Sequence, residues 1–368
     1  MRKSFIVIAI AFLLIGTFAI CEEGVLIDFT KLSADITVDK ENAATDADGN
    51  AVPDQNRHTV VDYGAVAGAT FTESQKALMK TSLALGNWEV ELNSSARNAV
   101  SLSNSIVKEA FVRETKAAGN DGEEIDVTVP FKGQYVMGVR VVFPETSVNS
   151  NAKILPPYEI PAFDPMVDVD DDGNSTGENT SGSTLTRFED GYGVLKNVGT
   201  IKSISVTTMG MNFPHGLYVL LKDTDGVTRR YFMGYLGFDG WKELQWNNPT
   251  YITDVRAREI RLYPIYPRGT PYVKFVGFQI TRDASDIGGN FIGYFKDVKI
   301  IYDKAVLTTE RDIADEDLWG IVTERESAKQ NFEMTRFGEK EVDRYLEKAK
   351  TATETGFKSS ITAEEVAD

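Results

Sequence analysis

The sequence is poor in the residues that most metal and nucleophile chemistry requires. Its 368 residues include one cysteine, Cys21, and two histidines, His58 and His215. Zinc sites, cysteine nucleophiles and disulfides all need a larger supply of these residues. Positive charge is also scarce, since 39 Lys+Arg stand against 55 Asp+Glu for a net charge of -16. Such acidity disfavours partners that present phosphate groups, so neither a nucleic acid nor an anionic lipid surface is expected.

The sequence also lacks the short motifs that mark common active sites. It contains neither a G-x-S-x-G nucleophile elbow nor a Walker loop. Gly191-Tyr192-Gly193 lacks the third glycine of a dinucleotide fingerprint. Among 55 carboxylates, a pair at glycosidase distance would arise by chance and carries no information. The sequence therefore predicts a protein that is not an enzyme and binds no cofactor.

Long apolar runs are absent except at the N-terminus. Arg2 and Lys3 precede the uncharged run Phe5–Ile20, which is shorter than the roughly 20 residues of a transmembrane helix. This pattern predicts that residues 1–21 are a signal peptide cleaved after Cys21, and that the exported chain has no stable membrane insertion. The alternative is a lipid on Cys21, although isoleucine is bulky for the residue that precedes a lipidated cysteine.

From Val25 to Ala305 the sequence has the pattern of a β-protein, because segments rich in Val, Ile, Phe, Tyr and Thr alternate with Gly, Pro, Asn and Asp. Hydrophobic residues make up 42% of the chain, which is enough for a large core. Many short strands favour two packed sheets, and residues 22–305 are predicted to form a jelly-roll or β-sandwich domain. The predicted strands are Val25–Phe29, Thr59–Tyr63, Trp88–Leu92, Ile125–Pro130, Tyr135–Phe143, Ile201–Thr207, Leu217–Lys222, Arg229–Tyr235, Lys242–Trp246, Ala257–Tyr263, Val273–Thr281 and Phe295–Tyr302.

Asp225-Gly226 predicts a tight hairpin between two of these strands, because this pair suits a primed turn with two positive φ angles. The mostly apolar stretch Tyr272–Ile280 predicts a strand that is covered on both faces. Short helical insertions are predicted at Thr72–Leu83 and Asn104–Lys116.

Two loops and the C-terminal region differ in composition from the β domain. The loops near residues 39–56 and 155–182 are acidic, and the second is also Pro-rich, so both are expected to be exposed. Residues 306–368 form a charged region with helical periodicity, and Gly338 is predicted to separate two helices. One stripe there consists of Val342, Tyr345, Leu346 and Ala349. It packs either on the β domain of its own chain or on a neighbouring subunit.

The second loop is the best metal candidate in the sequence. Asp168, Asp170 and Asp172, followed by Gly173, have the spacing of the first half of an EF-hand loop. The twelfth position, where an EF-hand has a bidentate glutamate, is Asn179. The loop therefore remains either a weak calcium site or a solvated acidic segment.

Aromatic residues are the remaining functional signal. Trp241, Trp246, Tyr251 and Arg256 fall within one short stretch and are of the types that anchor protein interfaces. They are the candidate interface residues. The same tryptophans and tyrosine could stack on sugar rings or fill a core.

Several segments together resemble the outer-layer (sheath) proteins of spirochaete periplasmic flagellar filaments, the FlaA family. These are YGAVAG at 63–68, GWKELQWNNPTYITDVR at 240–256, and the block from Leu262 to Ala305. The resemblance extends across nearly the whole chain after the N-terminal run. It does not include the Asp-rich loop, which is not part of the family pattern.

The resemblance implies a structural role. A protein of this kind is exported to the periplasm and coats a core of flagellin-like subunits together with other sheath subunits. It affects the stiffness and curvature of the filament, and therefore motility. Its fold would resemble a carbohydrate-binding (galactose-binding-like) jelly roll, and no catalytic residues are implied. The alternative from another functional class is an exported carbohydrate-binding module that acts on envelope glycans.

Overall fold

The computed structural model describes residues 21–33, 59–76, 79–113, 115–118, 124–127, 129–145, 149–162, 188–258, 263–264, 269–283, 286, 289–305, 307–308 and 313–322. It also describes 324–325, 328–329, 331–332, 335–336, 338–340, 342–343 and 346. No helix in these ranges is long and apolar enough to cross a membrane. The predicted signal peptide before Cys21, the metal candidates Asp168, Asp170 and Asp172, and His58 lie outside them.

The strands are β1 (Cys21–Asp28), β2 (Val61–Asp62), β3 (Lys80–Thr81), β4 (Glu89–Leu92), β5 (Ile106–Phe111), β6 (Thr115–Ala118), β7 (Glu124–Val127), β8 (Tyr135–Phe143), β9 (Asn151–Leu155), β10 (Val194–Lys196), β11 (Val198–Met211), β12 (Gly216–Asp223), β13 (Thr228–Tyr235), β14 (Asp239–Asn247), β15 (Tyr263–Pro264), β16 (Tyr272–Thr281), β17 (Gly289–Lys304) and β18 (Leu307–Thr308). The α-helices are α1 (Gly64–Ala67), α2 (Glu73–Lys76), α3 (Ala99–Asn104), α4 (Tyr251–Arg258) and α5 (Asp315–Trp319). Short 3-10 turns span Phe29–Leu32, Gly68–Thr70 and Leu85–Asn87.

Two six-stranded antiparallel sheets confirm the predicted mainly β sandwich. Sheet A has the order β14-β11-β17-β8-β5, and β1 pairs with the second half of β17. Sheet B has the order β13-β12-β16-β9-β4, and β10 also pairs with β16. The chain crosses repeatedly between the sheets, for example at β4–β5, β8–β9, β10–β11, β11–β12, β13–β14 and β16–β17, which is the connectivity of a jelly roll.

The core lies between the sheets because alternate side chains of each strand point inward. On β11, Ile204, Val206 and Thr208 are fully buried while the residues between them are half-buried. Phe278 of sheet B stacks on Phe295 of sheet A with ring centroids 4.5 Å apart. A chain with a single cysteine has no internal disulfide, so packing of this kind holds the two sheets together.

Strand β16 is covered on both faces, as predicted, and its outer face carries a buried charge. Lys274 is only 1% exposed, and its Nζ lies 2.6 Å from Oε1 of Glu159, which also pairs with Lys222. Burial alone would raise the pKa of the Glu159 carboxyl, but the two ammonium groups lower it overall. The segment after β9 is thereby fixed across the outer face of sheet B.

The predicted hairpin between β12 and β13 is present, but its turn differs from the predicted type. The N–H of Gly226 donates to the carbonyl of Asp223 at 2.9 Å, and Gly226 has φ 76°. Among the residues described, Asp225 is not one of those with positive φ, so a primed turn with two positive φ angles is excluded. The turn is stabilised by Asp223, because its Oδ1 accepts a hydrogen bond from the N–H of Val227 at 3.1 Å.

The two helical predictions were largely wrong. Among the described residues of Thr72–Leu83, α2 alone is helical, and Lys80–Thr81 is the strand β3. Among those of Asn104–Lys116, Asn104 at the end of α3 is the one helical residue, whereas Ile106–Phe111 is β5 and pairs with β8 along its length. Pairing with β8 and burial of Val107 outweigh a weak helical periodicity there. The predicted strand Ala257–Tyr263 begins inside α4.

The C-terminal region is helical at every residue described between 321 and 346. Gly338 is buried and Val342 packs against the core, so part of the predicted stripe contacts the β domain of its own chain. Leu346 is 45% exposed, while Tyr345 and Ala349 lie outside the described residues. Gly338 is itself helical, and residue 337 lies outside the described residues, so the break there stays a prediction. Both acidic loops are likewise outside, apart from residues 155–162.

Candidate functional site

Strand β14 presents its two tryptophans to opposite sides of sheet A. The register between β14 and β11 is unbroken from Asn247 to Asp239, so residues five positions apart point in opposite directions. Trp246 shares its side with the buried Leu244 and packs against the core. Trp241 is on the outer side. The candidate residues that are close in sequence therefore belong to two separate surfaces.

The outer surface around Trp241 is an aromatic platform, which comprises Phe131, Met209, Trp241 and Tyr294. Met209 pairs directly with Trp241 on one side and with Tyr294 on the other, so the three side chains lie in one row across sheet A. Phe131 packs its ring at 77° to that of Trp241, with the centroids 4.9 Å apart. The platform combines half-buried rings of the kind that anchor protein interfaces.

Two features fix the platform in place. Phe131 has φ 64°, a left-handed conformation that costs a residue with a side chain roughly 1 kcal/mol or more. The packing of its ring on Trp241 offsets this strain. The Nζ of Lys296 lies 5.1 Å from the centroid of the Phe131 ring, which adds a cation–π contact. Strained backbone that holds an aromatic ring at a surface is typical of a functional position.

The inner surface around Trp246 forms the wall of a cleft of about 680 Å³ at one end of the sandwich. We call it the Trp246 cleft. Trp246 and Tyr231 meet there with ring centroids 4.7 Å apart and planes inclined at 64°. Burial raises the pKa of the Tyr231 hydroxyl, so this residue is neutral. The other walls of the Trp246 cleft come from the β12–β13 hairpin, the start of β11 and the segment before β16. The C-terminal region adds Val322, Arg325 and Lys329.

Polar side chains of the Trp246 cleft are held by hydrogen bonds. Oδ2 of Asp254 accepts from Oγ1 of Thr250 at 2.9 Å and from Nδ2 of Asn248 at 3.2 Å. Oδ2 of Asp223 pairs with the guanidinium of Arg229. The two hydrogen bonds position the Asp254 carboxylate, whereas the Arg229 side chain is 53% exposed and makes a surface ion pair.

The two remaining candidate residues lie on α4, beside the cleft. The hydroxyl of Tyr251 donates to Oδ2 of Asp303 at 2.8 Å, and this contact ties α4 to β17. Burial and the bond to the Asp303 carboxylate raise the pKa of Tyr251 well above its usual value. Arg256 is exposed. Tyr251 therefore has a structural contact, and Arg256 remains available for an interface.

His215 is a core residue. It is 6% exposed and stacks on Phe143 with ring centroids 5.4 Å apart and planes inclined at 15°. Burial lowers the pKa of His215 to about 4, while the nearby Asp286 opposes that shift. Within the part of the chain that the structure describes, no group of three or more His, Cys, Asp or Glu residues could hold a metal ion.

Sequence reasoning found both tryptophans but missed their surroundings. Phe131 and Tyr294 join Trp241 through contacts between strands that are far apart in sequence, and Tyr231 joins Trp246 in the same way. One available signal was the alternation of β14, because residues 241 and 246 have opposite parity on a predicted strand.

Comparison with known proteins gives a consistent set of relatives. A family model described as "Flagellar filament outer layer protein Flaa" matches residues 53–311. The chain is 54% identical to a flagellar filament outer layer protein of Treponema pallidum (strain Nichols), over 98% of this chain and 97% of that protein. It is 39% identical to the protein of the same name from Spirochaeta aurantia, over 99% and 97% of the two chains.

Solved structures show only a distant likeness. TmCBM61 in complex with β-1,4-galactotriose matches 60% of this chain and 90% of its own, at 11% identity and a TM-score of 0.23. A family 11 carbohydrate-binding module of Clostridium thermocellum matches 61% and 91%, at 10% identity and a TM-score of 0.22. Scores this low carry no argument about a ligand of this chain.

Proposed function

Because the chain belongs to the FlaA family of flagellar filament outer layer proteins, we propose that it is a structural subunit of the sheath around a periplasmic flagellar filament. The observation that carries this proposal is the 54% identity to a named outer layer protein over 98% of the chain. In this proposal the partners are a flagellin-like core and other sheath subunits, and the sheath contributes to the stiffness and curvature of the filament. The function is structural and not catalytic.

The aromatic platform is the surface that we assign to contact with the filament. A sheath subunit must make at least one stable interface, and stable interfaces bury about 1,000 Å² or more around a few aromatic or arginine anchors. Trp241 is such an anchor, because it is half-buried on the outer face of sheet A and supported by Phe131. Arg256 on α4 is a further exposed candidate of the right type.

Location of the protein on the filament tests the proposed function directly. The outer membrane of the source cells is removed with detergent, and the isolated periplasmic filaments are labelled with gold-tagged antibody against this chain. Gold along the filaments is the expected result. Bare filaments, with the protein recovered in the soluble periplasmic fraction, would contradict a sheath role.

Substitution of the platform tests the assigned surface. Trp241→Ala should weaken binding of the purified chain to filaments stripped of sheath by about 30-fold, as loss of a central tryptophan costs about 2 kcal/mol or more at an interface. Co-sedimentation measures the affinity, and circular dichroism should be unchanged because Trp241 lies outside the core.

Trp246→Ala is the matched control, since it removes the same side chain from the other face of β14. Filament binding should survive this change if the variant is folded. Equal losses in the two variants would show that the platform is not the filament-binding surface. Unfolding by Trp241→Ala would instead identify that residue as part of the core.

A further inference from the structure

The Trp246 cleft has the size and shape of a ligand site. Its volume of about 680 Å³ falls within the range of roughly 300–1,000 Å³ that is usual for small-molecule sites. Its lining combines Tyr231 and Trp246 of the edge strands β13 and β14 with the ends of the inner strands β11, β12 and β16. The filament-binding role assigned to the platform does not use this cleft.

Two aromatic rings form a corner in the cleft. Because the planes of Trp246 and Tyr231 are inclined at 64°, a ligand that enters the corner can contact both rings. The C–H face of a sugar ring is apolar and packs on aromatic planes, while its hydroxyls remain at the edge and need polar partners. Tyrosine and tryptophan combine an apolar ring with a polar N–H or O–H group, so they can contact both the C–H face and the hydroxyls of a sugar.

Polar side chains line the same cleft as the two rings. Both hydrogen bonds to the Asp254 carboxylate reach Oδ2, so Oδ1 faces no competition from these bonds. Arg229, held by Asp223, also lines the cleft. Because its two hydrogen bonds already position the Asp254 carboxylate, it loses little entropy when it accepts a hydrogen bond from a ligand hydroxyl.

The charges of the cleft nearly balance. Four cations, Lys222, Arg229, Arg325 and Lys329, stand against the three carboxylates Asp223, Asp225 and Asp254. Arg229 is paired with Asp223 inside the cleft, and Lys222 is paired with Glu159 outside it. A phosphate or another strong anion would find little excess positive charge, so a neutral ligand fits better.

We propose that the Trp246 cleft binds a short neutral oligosaccharide, with Trp246 and Tyr231 against its apolar ring faces and Asp254 and Arg229 at its hydroxyls. This would be a binding activity of the free subunit, separate from contact with the filament. It can therefore succeed or fail whatever the outcome of the filament experiments.

Titration calorimetry with three neutral probes tests this inference. Cellotriose, xylotriose and β-1,4-galactotriose are each titrated into the purified full chain, and at least one should bind saturably. Trp246→Ala should then lower the affinity at least tenfold, in line with the loss of one stacking contact. Trp241→Ala, on the same strand but the opposite face, should leave the affinity within about twofold.

Asp254→Asn keeps the test decisive if Trp246→Ala fails to fold. This change preserves the shape of the side chain but weakens its acceptors, so it should reduce sugar affinity while circular dichroism stays unchanged. The inference is overturned if none of the three probes binds. It is also overturned if Trp241→Ala abolishes binding as completely as the cleft variants do, or if inorganic phosphate displaces the sugar.

Discussion

The two ends of the β-sandwich are finished in different ways. At one end, near Phe143 and the start of β17, a stack of rings fills the gap between the sheets. At the other, where β11 begins and β12 leads into its hairpin, the gap remains open as the Trp246 cleft. Strand β14 begins near the closed end and ends at the open one, where its Trp246 lines the cleft.

The closed end is filled by aromatic side chains, and both ring nitrogens of His215 are buried there without a hydrogen-bond partner among the residues described. His215 lies between Phe143 and Phe291, with ring centroids 5.4 and 5.2 Å away, and Phe213 contacts Phe291 from the side. A histidine in such a place is neutral, because burial lowers its pKa to about 4. The open end is lined instead by charged pairs and by rings that are only partly covered. The end that is filled by buried rings has no room for a ligand, whereas the end with partly covered rings and charged side chains does.

The largest expected effect comes from acid acting on the closed end. Unfolded chains bind a proton at His215 near pH 6.5, whereas the folded chain does so only near pH 4. The stabilisation by neutral His215 is thus complete above pH 6.5 and is lost as the pH falls towards 4. The loss reaches about 3 kcal/mol. Urea unfolding of wild type and His215→Phe between pH 7 and pH 4 measures it, and the variant should show a flatter dependence.

The charged groups near His215 act on its pKa in opposite directions. Asp286 and Asp283 raise the pKa of His215 and Arg282 lowers it, so these three charges partly cancel and burial decides the direction of the shift. If His215→Phe loses stability in acid as steeply as wild type, the closed end is not the pH-sensitive element.

A smaller effect should distinguish the two tryptophans of β14. Trp246→Ala should lower the free energy of unfolding by about 2 kcal/mol, because its ring packs on the core and on Tyr231. Trp241→Ala should cost about 1 kcal/mol, the value of its edge-to-face contact with Phe131. Urea unfolding of both variants at pH 7 is the measurement. A larger loss for Trp241→Ala would reverse the assignment of inner and outer faces.

The sequence predicted the sandwich because its strands carry local signals. Alternation, β-branched residues and turn residues were sufficient for β12, β13 and β16, and for the hairpin at Asp225-Gly226. The turn type was missed because positive φ at Gly226 alone, with Asp223 accepting from Val227, closes the loop equally well. The strand Ile106–Phe111 was missed because its pairing with β8 is not visible in its own residues.

The candidate site was predicted only in its parts. Trp241, Trp246, Tyr251 and Arg256 were grouped because they are close in sequence, but a strand alternates its faces and divides the two tryptophans. Phe131, Tyr231 and Tyr294 come from other strands and loops, and no local pattern connects them to β14. The pairing register of neighbouring strands decides which of their side chains lie side by side. That register depends on the whole sheet, so it cannot be predicted from one strand.

The smallest expected effect concerns the C-terminal region, which supplies Val322, Arg325 and Lys329 to the open end. Gly338 packs so closely on the β domain that a Cβ there would lie 2.7 Å from Cγ2 of Val66 and 3.0 Å from Cδ1 of Tyr63. Gly338→Leu should therefore overpack this contact at a cost of about 1 kcal/mol and release the region locally. Limited proteolysis should cut the variant faster within the C-terminal region while the β domain stays intact.

Glu339→Leu, at the exposed neighbouring position, should be cut at the wild-type rate. Equal cutting of Gly338→Leu and wild type would mean that the Gly338 contact does not hold the region to the domain, and the open end would then have to be formed by the β-sandwich alone.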